Sequence, residues 1–216
     1  PRPATALPRD ELRQRYFRAS RMAGILPIGR LPDDPAPRAA VFWSLSTAEL
    51  DHWSTRDLAD WKAEVAAFWP ETRPFLDQIT DKAQLTPARY SHGSLRRPYQ
   101  GRLIHIGDAA HRASPQLGQG ANMALLDAVS LGIALRHPLD EALVRHSRAR
   151  RWHLGLYQAA SAAFTPQYQS HSRVLPLLRD HVLSPLTRLW PLPGLIAHLV
   201  AGSILPPIAG TRFPDP

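Results

Sequence analysis

The sequence predicts an α/β fold that mixes strands with helices, and three features carry that prediction. Residues 22–30 and 39–46 are apolar runs of strand length. Residues 54–69 repeat apolar side chains at helical spacing, so that Leu58, Trp61, Val65 and Phe68 share one face. Residues 101–136 are typical of a strand, a turn, a glycine-containing loop and a helix in succession.

The N-terminal part predicts a small sheet. Residues 1–21 are rich in proline and arginine, which favours a short helix or an extended lead-in. Residues 22–30 and 39–46 predict an antiparallel hairpin, with prolines and charged residues making 31–38 its loop. Pro27 inside the first run indicates an edge or distorted strand.

Helices and one more strand follow. Residues 54–69 predict a helix that Ser54 caps and Pro70 ends, followed by a short helix over 74–79. The four tryptophans at 43, 53, 61 and 69 are interpreted as a core cluster. Residues 85–95 predict a strand, and its alternation puts Tyr90 and His92 on one face.

The stretch 101–136 holds the candidate chemistry. The run 103–106 predicts a buried strand, at whose carboxyl end the Asp108 carboxylate could accept hydrogen bonds from a ligand's hydroxyl groups. A helix follows from Ala121, and its small residues Ala121, Ala124, Ala128 and Gly132 predict a face buried against a sheet or a ligand. Its free N–H groups would favour negative charge by roughly 0.3–1 kcal/mol. His111 is expected to hydrogen-bond the loop.

A resemblance to a known family rests on this stretch. The residues that carry it are Gly107-Asp108-Ala109-Ala110-His111, Pro115, Gly118-Gln119-Gly120-Ala121-Asn122 and Asp127-Ala128. They resemble the second FAD-binding motif of the flavin-dependent aromatic hydroxylases, the family of para-hydroxybenzoate hydroxylase and the ubiquinone-pathway hydroxylases. The alternative is an ordinary strand, loop and buried helix without a ligand.

The resemblance implies a site. In that family the aspartate matching Asp108 binds the ribityl chain of FAD, and the helix start matching Gly118 to Asn122 meets the pyrimidine edge of the flavin ring. The residue matching Pro115 lies near the flavin's reactive edge. The expected cofactor-binding residues are therefore Gly107, Asp108, Pro115, Gly118, Gln119, Gly120, Ala121 and Asn122. The family's substrate sheet makes Phe42, Trp43, Tyr90 and His92 candidates for a substrate pocket, with a plain core role as the alternative.

The resemblance also implies a fragment. The family carries a Rossmann-type Gly-x-Gly-x-x-Gly loop near its start, and these 216 residues contain none. The expected architecture is part of a para-hydroxybenzoate-hydroxylase-like fold without its N-terminal Rossmann part. It comprises a partial substrate domain over 1–99, the FAD-binding strand, loop and helix over 100–136, and a helical region over 137–216. The missing N-terminal half is the expected partner.

The C-terminal region is expected to be helical. Residues 138–164 predict a long helix whose arginines form a solvated basic face or pair with the missing half. The apolar run 195–205 has eleven residues, too few to span a bilayer, and is expected to pack on the body rather than to touch a membrane surface.

Composition narrows the function classes. The formal charge is +8, but the chain has neither a run of basic residues nor a nucleic-acid motif, so we expect no nucleic-acid partner. No cluster of metal-ligand residues stands out. The absence of cysteine fits a reducing compartment, and we expect a cytoplasmic protein.

The functional hypothesis is an FAD-dependent monooxygenase. The resemblance implies that NAD(P)H reduces the flavin and that O2 supplies the oxygen for an aromatic or similar small substrate. No side chain is assigned as a general acid or base. One alternative is another FAD oxidoreductase of the same superfamily, a reductase or a halogenase. The other is a truncated, non-catalytic relic or binding module.

Overall fold

The computed structural model describes residues 7–200 and 206–210, with the side chains of 199 and 200 excluded. Within these residues the chain forms two compact units. The first comprises residues 7–88 and Tyr168–Pro176, and the second comprises Arg89–Gln167 and the described residues from Leu177 onward. Strands and helices are mixed, as the sequence predicts.

The first unit contains an antiparallel three-stranded sheet in the order β1 (Arg13–Phe17), β2 (Arg21–Leu31), β3 (Asp34–Trp43). The predicted hairpin is confirmed, but the loop expected over 31–38 is wrong because the strands continue to a turn at residues 32–33. Asp34 stabilises that turn, since its carboxylate accepts hydrogen bonds from the Ala36 N–H at 2.9 Å and from Arg38 at 2.6 Å. The register shifts beside Pro27, as a proline that cannot donate requires. Strand β1 was not predicted.

Three short helices follow the sheet: α1 (Thr47–Asp51), α2 (Leu58–Phe68) and α3 (Arg73–Leu76). The expected cap at Ser54 is wrong. Asp57 caps α2 instead, accepting from the N–H groups of Ala59 and Asp60 at 2.7 and 3.2 Å. Lys82 Nζ donates to three carbonyls of the preceding turn, those of Trp53, Ser54 and Arg56.

The core of the first unit lies between β2 and α2. Its buried side chains form two clusters, and they are Ala23, Ile25, Trp69 and Phe75 in one and Trp61, Val65, Ala66 and Leu76 in the other. Trp53 meets Trp61 edge-on, with ring centroids 5.8 Å apart. Such a contact adds about 0.5–1.5 kcal/mol beyond the area it buries. The predicted tryptophan cluster is therefore confirmed.

Strands of the second unit are short: β4 (Gly93–Ser94), β5 (Tyr99–Gln100) and β6 (Leu103–Ile104). The strand predicted over 85–95 shrinks to two residues. The buried strand predicted over 103–106 is also wrong, because β6 forms a tight hairpin with β5 and Leu103 is 61% exposed. Within the described part of the chain, β6 pairs with β5 alone, so its other edge receives no strand to bury it.

Helices make up the rest of the second unit and the C-terminal region. Their bounds are α4 (Asp108–His111), α5 (Gly120–Ala134), α6 (Leu139–Tyr168), α7 (Val174–Leu178), α8 (Ser184–Leu186) and α9 (Leu192–Val200). The predicted helices from Ala121 and from Pro138 are confirmed as α5 and α6. The basic face of α6 is exposed as expected at Arg145, Arg148 and Arg151, but Arg150 is buried, with 1% exposure.

The α5 face predicted to be buried against a sheet or a ligand is exposed at Ala121, Ala128 and Gly132, and the face buried within the unit carries Met123, Asp127, Ser130 and Ala134. Another expectation about burial is wrong. In the apolar run expected to pack on the body, Leu195 and Ile196 are 47% and 42% exposed, and 201–205 lie outside the described residues. No helix in the described ranges combines the length and the hydropathy needed to cross a membrane.

Candidate functional site

The site begins at a turn that only glycine tolerates. Gly107 has φ +57° and ψ −142°, a backbone conformation that side chains disfavour. A Cβ atom there would also lie 3.1 Å from Cβ of Ala124, so the missing side chain lets α4 start close against α5. The turn places Asp108 at the first position of α4, exposed at the surface of the unit.

Asp108 lies beside the start of α5. Its Oδ1 atom is 4.0 Å from the position of a Cβ on Gly120, and that position is otherwise open. No side chain caps the first turn of α5. Free N–H groups at a helix start attract negative charge, and a neighbouring carboxylate accepts hydroxyl hydrogens. The two therefore suit a ligand that carries both hydroxyl groups and an electron-rich edge.

The segment between α4 and α5 leaves room for such a ligand. Pro115 opens a 3-10 turn over Pro115–Leu117, and Gly118 follows in the left-handed region at φ +62° with nothing within 4 Å of a Cβ position. The Gln119 side chain accepts a hydrogen bond from the Asn122 amide at 2.9 Å. Six of the eight predicted cofactor-binding residues are exposed, and they are Asp108, Pro115, Gly118, Gly120, Ala121 and Asn122.

A buried carboxylate binds both ends of the turn that carries Asp108. Asp127 on α5 is 1% exposed and binds three donors. Its Oδ2 accepts the Gly107 N–H at 2.9 Å and lies 2.5 Å from Nε2 of His111, and its Oδ1 accepts Nε of Arg150 at 2.7 Å. The partner predicted for His111 is the loop, but the ring binds Asp127 on α5 instead.

Electrostatics keep Asp127 ionised. Burial by itself would raise the pKa of Asp127, but the hydrogen bonds from His111, Arg150 and the Gly107 amide outweigh it and lower that pKa to about 2. Burial raises the pKa of the Tyr157 hydroxyl, and the negative charge of Asp108 raises it further. The Tyr157 phenol therefore stays neutral.

Side chains from α6, together with His92 just before β4, hold the segment that leads to Pro115. Gln158 donates to the carbonyls of His111 and Arg112 at 3.0 and 3.3 Å. Ser161 donates to the Ser114 carbonyl at 3.3 Å and lies 3.1 Å from Nε2 of His92. His92, expected as a pocket residue, thus contacts the groups that anchor this segment. Tyr90 is 57% exposed.

The other two pocket candidates lie on opposite faces of the first unit's sheet. Trp43 packs in the core, edge-on against Phe68 at 5.5 Å and beneath the guanidinium of Arg21 at 5.2 Å. The Phe42 ring covers Gly24 on the other face, where a Cβ would lie 1.9 Å from its Cζ. Neighbours on a strand point in opposite directions, so the two rings cannot line one pocket.

Sequence reasoning missed Asp127 and Arg150 as site residues. A signal existed: the buried face of α6 repeats at helical spacing through Leu143, His146, Arg150, Tyr157 and Ser161. Arg150 sits on that face, whereas its basic neighbours do not. Across the described ranges, no group of three or more histidines, aspartates or glutamates is arranged to hold a metal ion.

Known proteins resemble this chain in sequence. A family described as "FAD binding domain" matches residues 37–167. A probable 2-heptyl-3-hydroxy-4(1H)-quinolone synthase of Rhodococcus erythropolis is 29% identical over 151 residues, which are 66% of this chain and 37% of that protein. A 3-(3-hydroxy-phenyl)propionate/3-hydroxycinnamic acid hydroxylase of Burkholderia cenocepacia is 32% identical over 118 residues, covering 51% of this chain and 22% of that protein.

Solved structures share the fold. Klebsiella pneumoniae HpxO, crystallised with FAD and uric acid, has a TM-score of 0.64 at 18% identity and covers 91% of this chain. Pseudomonas aeruginosa PqsL, a probable FAD-dependent monooxygenase, has a TM-score of 0.62 at 19% identity and covers 82%. The chain spans about half the length of each of these proteins. Since the family match takes in more than half of its residues, the chain belongs to the FAD-binding domain family.

Proposed function

We propose that this chain forms the part of an FAD-dependent monooxygenase that binds the ribityl chain and the ring of the cofactor. The observation that carries the proposal is that the exposed Asp108 carboxylate lies beside the uncapped start of α5, with its Oδ1 4.0 Å from the Cβ position of Gly120. FAD has hydroxyl groups on its ribityl chain and gains negative charge on its ring when reduced, and those are the two features that this pair accommodates.

Each residue has a defined task in this proposal. Asp108 accepts hydrogen bonds from ribityl hydroxyls, and the N–H groups of Gly120, Ala121 and Asn122 meet the electron-rich edge of the ring. Gly118 and Gly120 leave space for a flat group against the backbone. Pro115 borders that space. FAD itself supplies the redox and oxygen chemistry when bound.

The reaction partners are inferred from the relatives. The Burkholderia hydroxylase is named for hydroxyphenyl acids, and a 3-hydroxybenzoate 6-hydroxylase of Klebsiella oxytoca is 31% identical over 129 residues. We therefore propose an aromatic or similar small substrate, O2 as the oxygen source and NAD(P)H as the reductant. Phe42 is the better of the two aromatic pocket candidates, because Trp43 is occupied by core contacts.

A further segment completes the site in this proposal. The exposed face of α5 carries apolar side chains, because Leu125 and Val129 are 66% and 47% exposed. Such side chains are better accommodated where another part of the protein covers them. We propose that the Rossmann part of the same protein covers this face and binds the ADP half of FAD. Genomic sequence upstream of this chain tests the idea, and absence of Gly-x-Gly-x-x-Gly there would contradict it.

Simple observations distinguish the proposed monooxygenase from the two alternative functions. A halogenase or reductase of the same superfamily would show its own signature in that upstream sequence. A non-catalytic relic would carry no flavin when purified with the upstream part. A cytoplasmic location belongs to the proposal too, is supported by the cysteine-free composition and is testable by cell fractionation.

The test of the site is Asp108→Ala in the FAD-loaded protein that contains this chain. A hydrogen bond to a carboxylate contributes on the order of 1.5–3 kcal/mol, so FAD affinity should fall roughly ten- to hundredfold. Flavin absorbance retained after dialysis measures the effect. Asp140→Ala, which removes another exposed carboxylate of the same unit, is the control. Equal flavin retention in both variants would remove Asp108 from the site.

A further inference from the structure

The guanidinium of Arg150 connects two distant parts of the second unit. Its Nε donates to Oδ1 of Asp127 at 2.7 Å, and its Nη1 donates to the carbonyl of Pro207. Nη2 reaches the Met123 carbonyl at 3.4 Å. The planar fork of an arginine can hold both partners in fixed directions, which a lysine cannot do. With 1% exposure, Arg150 has little access to water that could replace a lost partner.

The C-terminal segment at residues 206–210 is seated on α6. Ile208 is 2% exposed, and the Ala209 N–H donates to the Ala149 carbonyl at 2.9 Å. Pro207 therefore presents its carbonyl to Arg150 from a segment that Ile208 and Ala209 hold in place. Removal of this segment would deprive Nη1 of its carbonyl and open the ion pair between Arg150 and Asp127 to water.

The other end of the connection is residues 107–111, which we call the cofactor turn. Oδ2 of Asp127 binds the N–H of Gly107, which immediately precedes α4, and Nε2 of His111, the last residue of α4. Asp108 lies between these two attachment points. Any change that lets the Asp127 carboxylate move therefore releases both ends of the turn that orients Asp108.

We propose that Pro207, Ile208 and Ala209 act through Arg150 and Asp127 as positioning elements for the cofactor turn. The C-terminal segment thereby keeps the Asp108 carboxylate in position for the ribityl chain of FAD, although the segment itself does not contact the cofactor. The step from turn to FAD rests on the proposed function of Asp108, whereas the step from segment to turn does not.

Hydrogen exchange in the 216-residue chain tests the first step without any flavin. The variants are a chain ending at Pro206 and the substitution Arg150→Met. Both should raise exchange in 107–111 at least roughly tenfold while exchange in α2, in the first unit, stays unchanged. The controls are a chain ending at Gly210, which keeps the seated segment, and Arg148→Met, which removes an exposed arginine from the same helix.

Two results would overturn the proposal. One is unchanged exchange in 107–111 when the chain ends at Pro206. The other is an equal rise throughout α5 and α6, which would make the segment ordinary core. If shortening the chain causes the second unit to unfold, Ile208→Ala is measured instead, because it loosens the segment without removing the Pro207 carbonyl. It should raise exchange in 107–111, and unchanged exchange would overturn the proposal.

A flavin titration separates the two steps. In the protein that contains this chain and binds FAD, Arg150→Met should weaken FAD binding, and Asp108→Asn should weaken it while leaving the exchange of 107–111 unchanged. If exchange rises but neither variant affects FAD binding, the positioning role toward FAD is wrong together with the proposed contact of Asp108. If Asp108→Asn weakens binding and Arg150→Met does not, only the positioning role is wrong.

Discussion

At the scale of single residues, Asp127 is a buried carboxylate of the second unit whose ionised form depends on its hydrogen-bond donors. Its two oxygens serve three donors, and both it and Arg150 are 1% exposed. Removing one partner of a buried ion pair leaves the other charge without compensation. We expect Asp127→Asn to lower the free energy of unfolding by about 3–5 kcal/mol, measured by urea denaturation of the 216-residue chain.

An exposed aspartate provides the comparison. Asp140 lies in the first turn of α6 and is exposed, so Asp140→Asn loses only its interaction with the helix dipole. That loss should not exceed about 1 kcal/mol. Similar losses for the two substitutions would mean that the Asp127 network contributes no more than a surface charge.

The same carboxylate gives the second unit an acid-sensitive window. The pKa of Asp127 is about 2 in the folded chain, below its ordinary value of 3.8, so its contribution is complete above about pH 4. As pH falls from about 4 to 2, protonation of the folded carboxylate removes about 2 kcal/mol of stability. Thermal melts across this window should show the loss, and the Asp127→Asn chain should show a correspondingly flatter dependence. Parallel curves would assign the acid loss to other groups.

At the scale of elements, the contact between α4 and α5 depends on Gly107. An added methyl group would meet Ala124 at 3.1 Å and would also disfavour the positive φ. We expect Gly107→Ala to cost on the order of 1–3 kcal/mol of stability. Circular dichroism during urea unfolding measures it.

A second glycine isolates the two causes. Gly101, in the β5–β6 turn, also has a positive φ, but nothing lies within 4 Å of its Cβ position. Gly101→Ala should therefore show backbone strain alone, about 1–2 kcal/mol. If Gly107→Ala costs no more than Gly101→Ala, the close approach of α4 to α5 is not a constraint.

At the scale of the whole molecule, the 216-residue chain contains candidate residues for only one of two parts of an FAD site. It has a candidate site for the ribityl chain and ring but none for the ADP half. Asp108 and the start of α5 suit the ribityl chain and the ring, whereas no Gly-x-Gly-x-x-Gly loop for the ADP half occurs in these residues. We expect the isolated chain to bind FAD weakly or not at all, as flavin fluorescence during titration would show. A stoichiometric complex tighter than about 1 μM would contradict this expectation.

Local features could be predicted from the sequence because they depend on residues close together in the chain. The turn at Gly107, the left-handed Gly118 and the start of α5 near Gly120 follow from glycines and from helical spacing within a few residues. The hairpin of β2 and β3 and the long helix α6 follow from periodicity. The strands predicted over 85–95 and 103–106 are reduced to the two-residue strands β4 and β6, because pairing among the described residues covers only those positions.

The sequence by itself determined the family of this chain and identified Gly107 to Asn122 as the candidate flavin-binding segment. Only the tertiary structure decided which face of α5 is buried, which partners the buried Arg150 binds, and that His92 contacts Ser161 beside the segment that leads to Pro115. These outcomes depend on pairs far apart in sequence: Asp127 lies 16 residues from His111, 23 from Arg150, and Arg150 lies 57 from Pro207. Whether a charged side chain is buried depends on the partner that compensates it, and no local pattern identifies that partner.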